Sequence, residues 1–113
     1  MMKTDLSIRM KMNASLVDDG AKVADIGCDH GYVAIWLATQ KKCKKVIASD
    51  IGEGPLNIAR KNILKAELSD VIELRNGDGL SVLKPGEVDT VLIAGMGGML
   101  ICNILSSGVE ILN

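Results

Sequence analysis

Four short segments with strand character alternate with segments of helical periodicity along this chain of 113 residues. Three of the four are rich in valine and isoleucine without strict polar alternation, which is typical of strands buried on both faces of a parallel sheet. The alternation predicts an α/β fold with right-handed crossovers and a doubly wound sheet. The four predicted strands are VADI (23–26), KVIASDI (45–51), VIELRN (71–76) and DTVLIAG (89–95).

Helical periodicity is clearest in two of the intervening segments, 31–42 and 55–68, where apolar residues recur at helical spacing. We expect two further helices, over roughly 5–17 and from about Met99 onward. Doubly wound folds carry more strands than four, so we expect a single domain over 1–113 that is the N-terminal portion of a longer fold. The uncovered side of the fourth strand would then offer a route to homodimerisation.

Composition and charge narrow the class of protein. Hydrophobic residues make up 48% of the chain, which predicts a folded globular domain. A net charge of −1 does not point to a nucleic-acid binder, although it does not exclude a local basic patch. The three cysteines lack C-x-x-C spacing, so neither a disulfide framework nor a zinc site is expected. Without a signal peptide or a membrane span in the sequence, we expect a soluble, cytoplasmic protein.

Glycine and acidic residues follow each of the four predicted strands. In an open parallel sheet, ligands bind beyond the carboxyl ends of the strands, where the strand order reverses. One glycine-rich strand end would be weak support for a site, but four in succession indicate a ligand site built from these loops. Their sequences are GCDHG, SDIGEGP, NGDGL and AGMGG.

The first of these loops leads into a helix. Gly27 and Gly31 flank a tight turn at a helix N-terminus, where free backbone N–H groups favour a carboxylate or a phosphate. The alternative is a glycine-rich turn that merely connects strand and helix. Asp25 could accept hydrogen bonds from the N–H groups of that turn or from the ammonium group of a ligand, although a lone aspartate in a strand is more often structural.

The second and third loops carry features of a nucleoside site. Asp50, at the end of the second strand, is placed to accept both hydroxyls of a ribose; the alternative, an N-cap of the helix that follows, is less favoured because Asp50 lies several residues too early. Ile51 could cover an adenine face. Asp78 could accept a hydrogen bond from an adenine amino group, with Gly79 allowing close approach; an Asx-type turn is nearly as good an interpretation of Asp78.

The spacing of the glycines bears on which nucleoside would bind. Neither G-x-G-x-x-G nor a Walker-type sequence is present, so a pyrophosphate fits badly. An acid in the first turn repels phosphate but suits the sulfonium and ammonium groups of S-adenosylmethionine. S-adenosylmethionine is therefore favoured over a nicotinamide dinucleotide, and a nicotinamide-dependent oxidoreductase domain is the less favoured alternative.

The motifs VADIGCDHGY, ASDI, NGDGL and EVDTVLIAGMGG, with the leader LSIRM, resemble the bacterial tRNA adenine-N1 methyltransferases that modify adenine 22, the TrmK family. The resemblance extends over essentially the whole chain. It implies a Rossmann-like class I methyltransferase fold, truncated here after the fourth parallel strand and its helix. It also implies S-adenosylmethionine as cofactor and tRNA as substrate. An S-adenosylmethionine-binding module without turnover is the alternative, because the family's remaining strands and C-terminal helical domain are not in this chain.

Two residues of the first loop are our own candidates for catalysis, and the resemblance assigns the cofactor-binding residues. Asp29 is the preferred catalytic carboxylate, near the reacting adenine or the sulfonium, and His30 is the second candidate; Asp29 could instead cap the helix. No metal site is implied. The cofactor-binding set is the methionine side at Gly27, Asp29 and Gly31, the ribose at Asp50, the adenine at Asp78 and Gly79, and the floor of the methyl-transfer site at Ala94, Gly95, Met96 and Gly97.

Overall fold

The computed structural model describes residues 14–95, 98–105 and 108–111. Most of the helix expected over 5–17 lies outside these residues. Six strands and two helices make up the described fold. They are β1 (Lys22–Ile26), α1 (Tyr32–Gln40), β2 (Lys45–Asp50), α2 (Glu53–Lys65), β3 (Ile72–Asn76), a 3-10 turn (Gly79–Val82), β4 (Thr90–Gly95), β5 (Gly98–Leu105) and β6 (Gly108–Ile111).

The strands form one sheet in the order β3-β2-β1-β4-β5-β6. Strand β1 pairs in parallel with β2 on one side and with β4 on the other, and β3 is parallel to β2. The chain therefore moves outward in one direction from β1 to β3 and then crosses to β4 on the opposite side. This reversal creates a switch point at the carboxyl ends of β1 and β4. The predicted fold class is confirmed.

Alternating side chains of the central strands build two cores, because successive residues of a strand point to opposite faces. On one face, apolar residues of α1 and α2 pack on Val23, Val46 and Leu92. On the other face, Ile47 belongs to a smaller cluster whose outer layer comes from the loop between β3 and β4. Both sides of the central strands are buried, which accounts for their near-continuous apolar sequences.

The prediction of a helix from about Met99 onward is wrong. Gly98–Leu105 form β5, which pairs antiparallel with β4 in a hairpin that brings Gly95 opposite Gly98. The open edge of β4 supplies hydrogen-bond partners for this segment, and its alternating residues Met99 and Ile101 are buried in the main core. Strand β4 is thus an inner strand, so its edge does not offer the predicted route to a homodimer, and homodimerisation stays a prediction.

Two findings bear on the expected class of protein. The three cysteines are free thiols, and all are buried. Within the described part of the chain, neither helix is long and apolar enough to cross a lipid bilayer.

The two cores predict where the fold is most sensitive to truncation of a side chain. Ile47 is fully buried on β2, whereas Ile58 on α2 is 41% exposed. We expect Ile47→Ala to lower the free energy of unfolding by about 2–5 kcal/mol, because it removes packed methyl groups and leaves a cavity. The matched change Ile58→Ala should cost less than about 1 kcal/mol. Urea unfolding measures both, and equal losses would contradict the assignment of Ile47 to a core.

Candidate ligand site at the carboxyl ends of the strands

The turn between β1 and α1 is held in an unusual backbone conformation. Gly27, Asp29 and Gly31 all have positive φ angles, of 79°, 53° and 84°. The N–H groups of Gly27 and Cys28 both donate to the backbone oxygen of Ser49 at 2.8 Å, and the N–H of Gly31 donates to the oxygen of Cys28 at 2.9 Å. Positive φ is readily adopted by glycine and strained for other residues, so the two glycines are needed for this shape.

Asp50 ties this turn to the loop that follows β2. Its Oδ2 accepts a hydrogen bond from the backbone N–H of Asp29, and its Oδ1 accepts one from the N–H of Gly52, both at 3.0 Å. A carboxylate has about four acceptor positions, so Asp50 retains room for two further donors. The predicted contact with a ribose therefore remains compatible with a structural role that the sequence did not indicate.

Asp25 lies beneath the turn and is 1% exposed. No described residue donates a hydrogen bond to its Oδ2. The three turn amides of residues 27–29 have other acceptors, so the interpretation of Asp25 as their acceptor is wrong. Burial, with a smaller contribution from the charge of Asp50, raises the pKa of Asp25 to about 7. Asp25 is therefore a buried carboxyl group with which no basic side chain of the described residues forms an ion pair.

Cys28 occupies the same turn, but its thiol is unreactive. Its side chain is buried, and burial together with the charges of Asp25 and Asp50 raises the pKa of the thiol to about 12. A thiol that stays protonated at neutral pH is a poor nucleophile. Cys28 is therefore a packing residue of the turn.

The two predicted catalytic residues lie side by side at the surface. The Oδ1 of Asp29 is 3.7 Å from the Nε2 of His30, and both side chains are solvent-accessible. The ring of His30 meets Tyr32 edge-on, with centroids 6.1 Å apart. Helix α1 begins at Tyr32, its N-cap residue is Gly31, and no side-chain hydrogen bond caps it. The alternative that Asp29 serves as a helix cap is therefore wrong.

The ends of β2 and β3 are joined by backbone and amide contacts. The Nδ2 of Asn76 donates to the backbone oxygens of Asp50 and Ile51, at 3.1 and 3.2 Å, and the N–H of Gly77 also donates to Asp50. Ile51 itself is 73% exposed. A large apolar side chain held this far into solvent at a strand end is suited to covering a flat ligand, as the sequence predicted.

The loop after β3 presents a carboxylate and an apolar side chain. Asp78 is exposed and precedes the 3-10 turn, whose contact with Ser81 uses the backbone oxygen of Asp78. No described residue donates to the Asp78 carboxylate, so the Asx-turn alternative is wrong. Gly79 has φ 56° and open space around its Cα. Leu80, which the sequence analysis did not single out, is 56% exposed on the same turn.

The fourth strand end closes the other side of the site. A Cβ built on Gly27 would lie 3.5 Å from the backbone oxygen of Ala94 and 3.6 Å from its Cβ. The first turn and the exposed Ala94 therefore flank the switch point between β1 and β4. Gly95 ends β4, and Met96 and Gly97 lie outside the described residues.

Helix α2 supplies a contact that sequence reasoning missed. The Nδ2 of Asn62 donates to the backbone oxygen of His30 at 2.9 Å, and a Cβ on Gly31 would lie only 3.2 Å from the Cβ of Ala59. Asn62 thus holds the turn from the helix side. It is 32 residues from His30 in sequence, and no spacing rule links the two.

Two cavities lined by described residues lie away from this site. One, of about 340 Å³, lies at the opposite end of the sheet around Asp18, Asp89 and Asn103. The other, of about 330 Å³, lies between α2 and β3. Neither is lined by any predicted site residue. Among the described residues, no group of three His, Cys, Asp or Glu side chains is placed to hold a metal ion.

Electrostatically, the predicted site is strongly acidic. Four aspartates mark the carboxyl ends of the first three strands, and the only basic side chain within ion-pairing distance of their carboxylates in the described structure is His30, whose Nε2 is 3.7 Å from Asp29. Such a site favours a cation and disfavours a polyphosphate. The uncapped N-terminus of α1, by contrast, can accept a carboxylate. The four acids are Asp25, Asp29, Asp50 and Asp78.

Comparison with known protein sequences places this geometry in context. A family model described as a methyltransferase domain matches residues 6–113. The chain is 43% identical over 103 residues to the tRNA (adenine(22)-N(1))-methyltransferase of Bacillus subtilis (strain 168). That match covers 91% of this chain and 43% of the relative, so the chain spans less than half the length of that protein.

Solved structures give the same relationship. The B. subtilis m1A22 tRNA methyltransferase TrmK superposes with a TM-score of 0.77 at 40% identity, covering 84% of this chain and 41% of that one. The TrmK of M. capricolum, solved with S-adenosylhomocysteine, has a TM-score of 0.70 at 28% identity, covering 89% of this chain and 53% of that one. The predicted family resemblance is therefore confirmed in sequence and in structure.

The buried Asp25 carboxyl group predicts a pH-dependent stability. A raised pKa means that the fold favours the protonated form, so the free energy of unfolding should fall as the pH rises from about 4 to about 7. The cost of ionisation is at most on the order of 4 kcal/mol, about three pKa units at about 1.36 kcal/mol each. We expect Asp25→Asn, which cannot ionise, to be more stable than the unsubstituted chain at pH 8, with a gain clearly smaller at pH 5.

Urea unfolding at the two pH values measures this difference. The exposed Asp70 gives the matched control, because Asp70→Asn should leave the pH dependence unchanged. A gain for Asp25→Asn that is the same at pH 5 and pH 8 would mean that Asp25 is ionised with an ordinary pKa in the folded protein.

Proposed function

Because the chain belongs to the methyltransferase-domain family, we propose that it binds S-adenosylmethionine at the carboxyl ends of β1 to β4. We further propose that it forms the cofactor-binding domain, over residues 1–113, of a cytoplasmic enzyme that methylates N1 of an adenine in tRNA, adenine 22 by family resemblance. The observation that carries the proposal is the buried Asp25 with an unpartnered Oδ2, beneath a glycine turn at the switch point.

The residues present fit the parts of this cofactor. The uncapped N-terminus of α1, next to Gly31, suits the methionine carboxylate. Asp25 and Asp29 supply negative charge for the ammonium and sulfonium groups. Asp50 has two acceptor positions left for the ribose hydroxyls. The fit is thus by charge as well as by hydrogen-bonding capacity.

The adenine would be held by groups after β2 and β3. Ile51 and Leu80 both expose large apolar side chains on these neighbouring loops, and each could contact a face of a planar base. Asp78 has a carboxylate without a described donor, which suits the exocyclic amino group of adenine. Gly79 leaves open space beside it.

Methyl transfer to a ring nitrogen requires little acid–base catalysis from the protein. Bound S-adenosylmethionine would supply an electrophilic methyl group. The N1 atom of adenine carries a lone pair and lies on the Watson–Crick edge, so the base must be unpaired or flipped, but needs no deprotonation. The chain's own part is to align the reactants and to stabilise the positive charge that develops on the base. The exposed Asp29 carboxylate, whose Oδ1 is 3.7 Å from the Nε2 of His30, is the proposed group for that charge.

Two alternatives stand beside methyl transfer to tRNA. The first is binding of S-adenosylmethionine without turnover, because the chain spans 43% of the B. subtilis relative. A nicotinamide-dependent oxidoreductase is disfavoured, since four aspartates around the site would repel a pyrophosphate.

Calorimetric titration with S-adenosylmethionine tests the binding proposal. We expect the chain to bind this cofactor, and to bind NADH at least about ten-fold more weakly. We expect Asp78→Ala to weaken binding roughly 10- to 100-fold, because it removes a hydrogen bond to a charged acceptor, worth about 1.5–3 kcal/mol. Asp78 is the sharpest target, since its side chain bonds to no described residue and its loss should not disturb the fold.

The exposed Asp70 provides the matched control for this titration. It precedes β3, at the end of the sheet opposite the site, so Asp70→Ala should bind the cofactor as the unsubstituted chain does. Equal weakening by both substitutions would remove Asp78 from the site. A preference for NADH over S-adenosylmethionine would overturn the methyltransferase proposal altogether.

Methyl transfer itself is tested with labelled cofactor and tRNA transcripts. If the chain is active, we expect label in a transcript with adenine at position 22 and none in the same transcript with guanine there, because guanine N1 carries a proton in place of the lone pair. Cofactor binding without label in either transcript would favour the binding-only alternative.

A further inference from the structure

Arg75 on β3 lies at the centre of a hydrogen-bonded cluster outside the site. Its Nη1 donates to the backbone oxygen of Val82 at 2.6 Å and to the Oε1 of Glu87 at 2.8 Å. Its Nη2 donates to the other carboxylate oxygen of Glu87, and its Nε donates to the Oε2 of Glu73 at 2.7 Å. One guanidinium thus joins the strand to two points of the loop that leads to β4.

The loop bends back sharply between the end of β3 and Val82. A Cβ on Gly77 would lie only 2.3 Å from the Cγ1 of Val82, so the two residues are in direct contact. Beyond Val82, the N–H of Lys84 donates to Glu87 at 2.9 Å. Residues 78–81 therefore form a short turn. Gly77 fixes where the turn begins, and Arg75 fixes where it ends through its hydrogen bond to Val82.

The ionic character of the cluster is well defined. The hydrogen bonds from Arg75 lower the pKa of Glu87 to about 2 and also lower the pKa of Glu73. Both carboxylates are therefore ionised throughout the neutral range. A bidentate arginine–carboxylate pair is directional as well as charged, so it fixes the loop's orientation better than a single lysine contact would.

These contacts coincide with the part of the site proposed for the adenine. We propose that Arg75, acting through Glu87 and the Val82 backbone, is a positioning residue that holds Asp78 and Leu80 beside Ile51 and so sets the preference for adenine. The inference rests on the proposed function, because the adenine contact belongs to that proposal. Arg75 would not touch the ligand; it determines where the groups that do so lie.

Amide hydrogen exchange of the ligand-free chain tests the positioning by itself. The N–H of Ser81 donates to Asp78, and the N–H of Leu83 donates to Leu80, so these two amides report on the turn. In Arg75→Gln we expect both to exchange at least about ten-fold faster. The amide of Cys28, bonded to Ser49 in the first turn, should be unchanged.

Ligand discrimination tests the consequence. S-inosylhomocysteine carries a proton on N1 and, in place of the adenine amino group, a carbonyl oxygen; an Asp78 carboxylate placed at the amino group would repel that oxygen. We expect the unsubstituted chain to prefer the adenosyl compound by on the order of ten-fold or more, and Arg75→Gln to reduce this ratio to about two-fold. General destabilisation would weaken both ligands equally and leave the ratio unchanged.

Matched variants make the experiment decisive. Arg60 on α2 is exposed and bonds to Asn57, so Arg60→Gln should change neither the exchange rates nor the ratio. Arg75→Lys keeps the positive charge but cannot form the bidentate contact with Glu87. Its exchange rates and its ligand ratio should therefore lie between those of Arg75→Gln and those of the unsubstituted chain. Unchanged exchange at Ser81 and Leu83 in a folded Arg75→Gln chain would overturn the inference.

The proposed function can fail separately. If the unsubstituted chain binds neither nucleoside, the binding proposal fails, and the exchange rates alone decide whether Arg75 holds the turn. If it binds both with an unchanged ratio in Arg75→Gln, the binding proposal stands and the role of Arg75 in adenine preference is wrong.

Discussion

Three backbone N–H groups at the end of β1 donate to acceptors on β2, and the rest of the site depends on these bonds. Gly27 and Cys28 share the backbone oxygen of Ser49, and Asp29 donates to the carboxylate of Asp50. Together they force the chain through positive φ angles and start α1 with an uncapped N-terminus. The bonds satisfy buried backbone donors while leaving the helix end open to a ligand, which no local capping motif would do.

That arrangement also brings acidic side chains close together at the end of β1. Burial leaves Asp25 without a hydrogen bond to its Oδ2, and the nearby charge of Asp50 adds to the cost of ionising it. An ionised Asp25 lowers the free energy of unfolding unless a bound cation compensates its charge. Buried titratable groups of this kind cluster at functional sites. The acidic site and the relatives' cofactor chemistry therefore point in the same direction, although they are independent observations.

Local sequence pattern was a good guide to β1 through β4, α1 and α2, because their apolar periodicities are set by burial on both sides of the sheet. It failed for the segment from Met99, where pairing with the edge of β4 outweighed helical spacing. The strand-end residues were found because parallel strands bring their carboxyl ends together. Asn62 and Arg75 were not, since their roles come from contacts with backbone atoms of other elements, which leave no sequence signature.

The dependence of the first turn on β2 also has a kinetic side. The acceptors for residues 27–29 belong to a strand about twenty residues further along, and the one described backbone–backbone bond within the turn runs from the N–H of Gly31 to the oxygen of Cys28. During folding it can form only after α1 has crossed the sheet and β2 has paired with β1, because non-local contacts must await loop closure. The geometry of the first turn is therefore acquired with the pairing of β1 and β2, whereas its approach to Ala94 also needs β4, which pairs with β1 from much further along the chain.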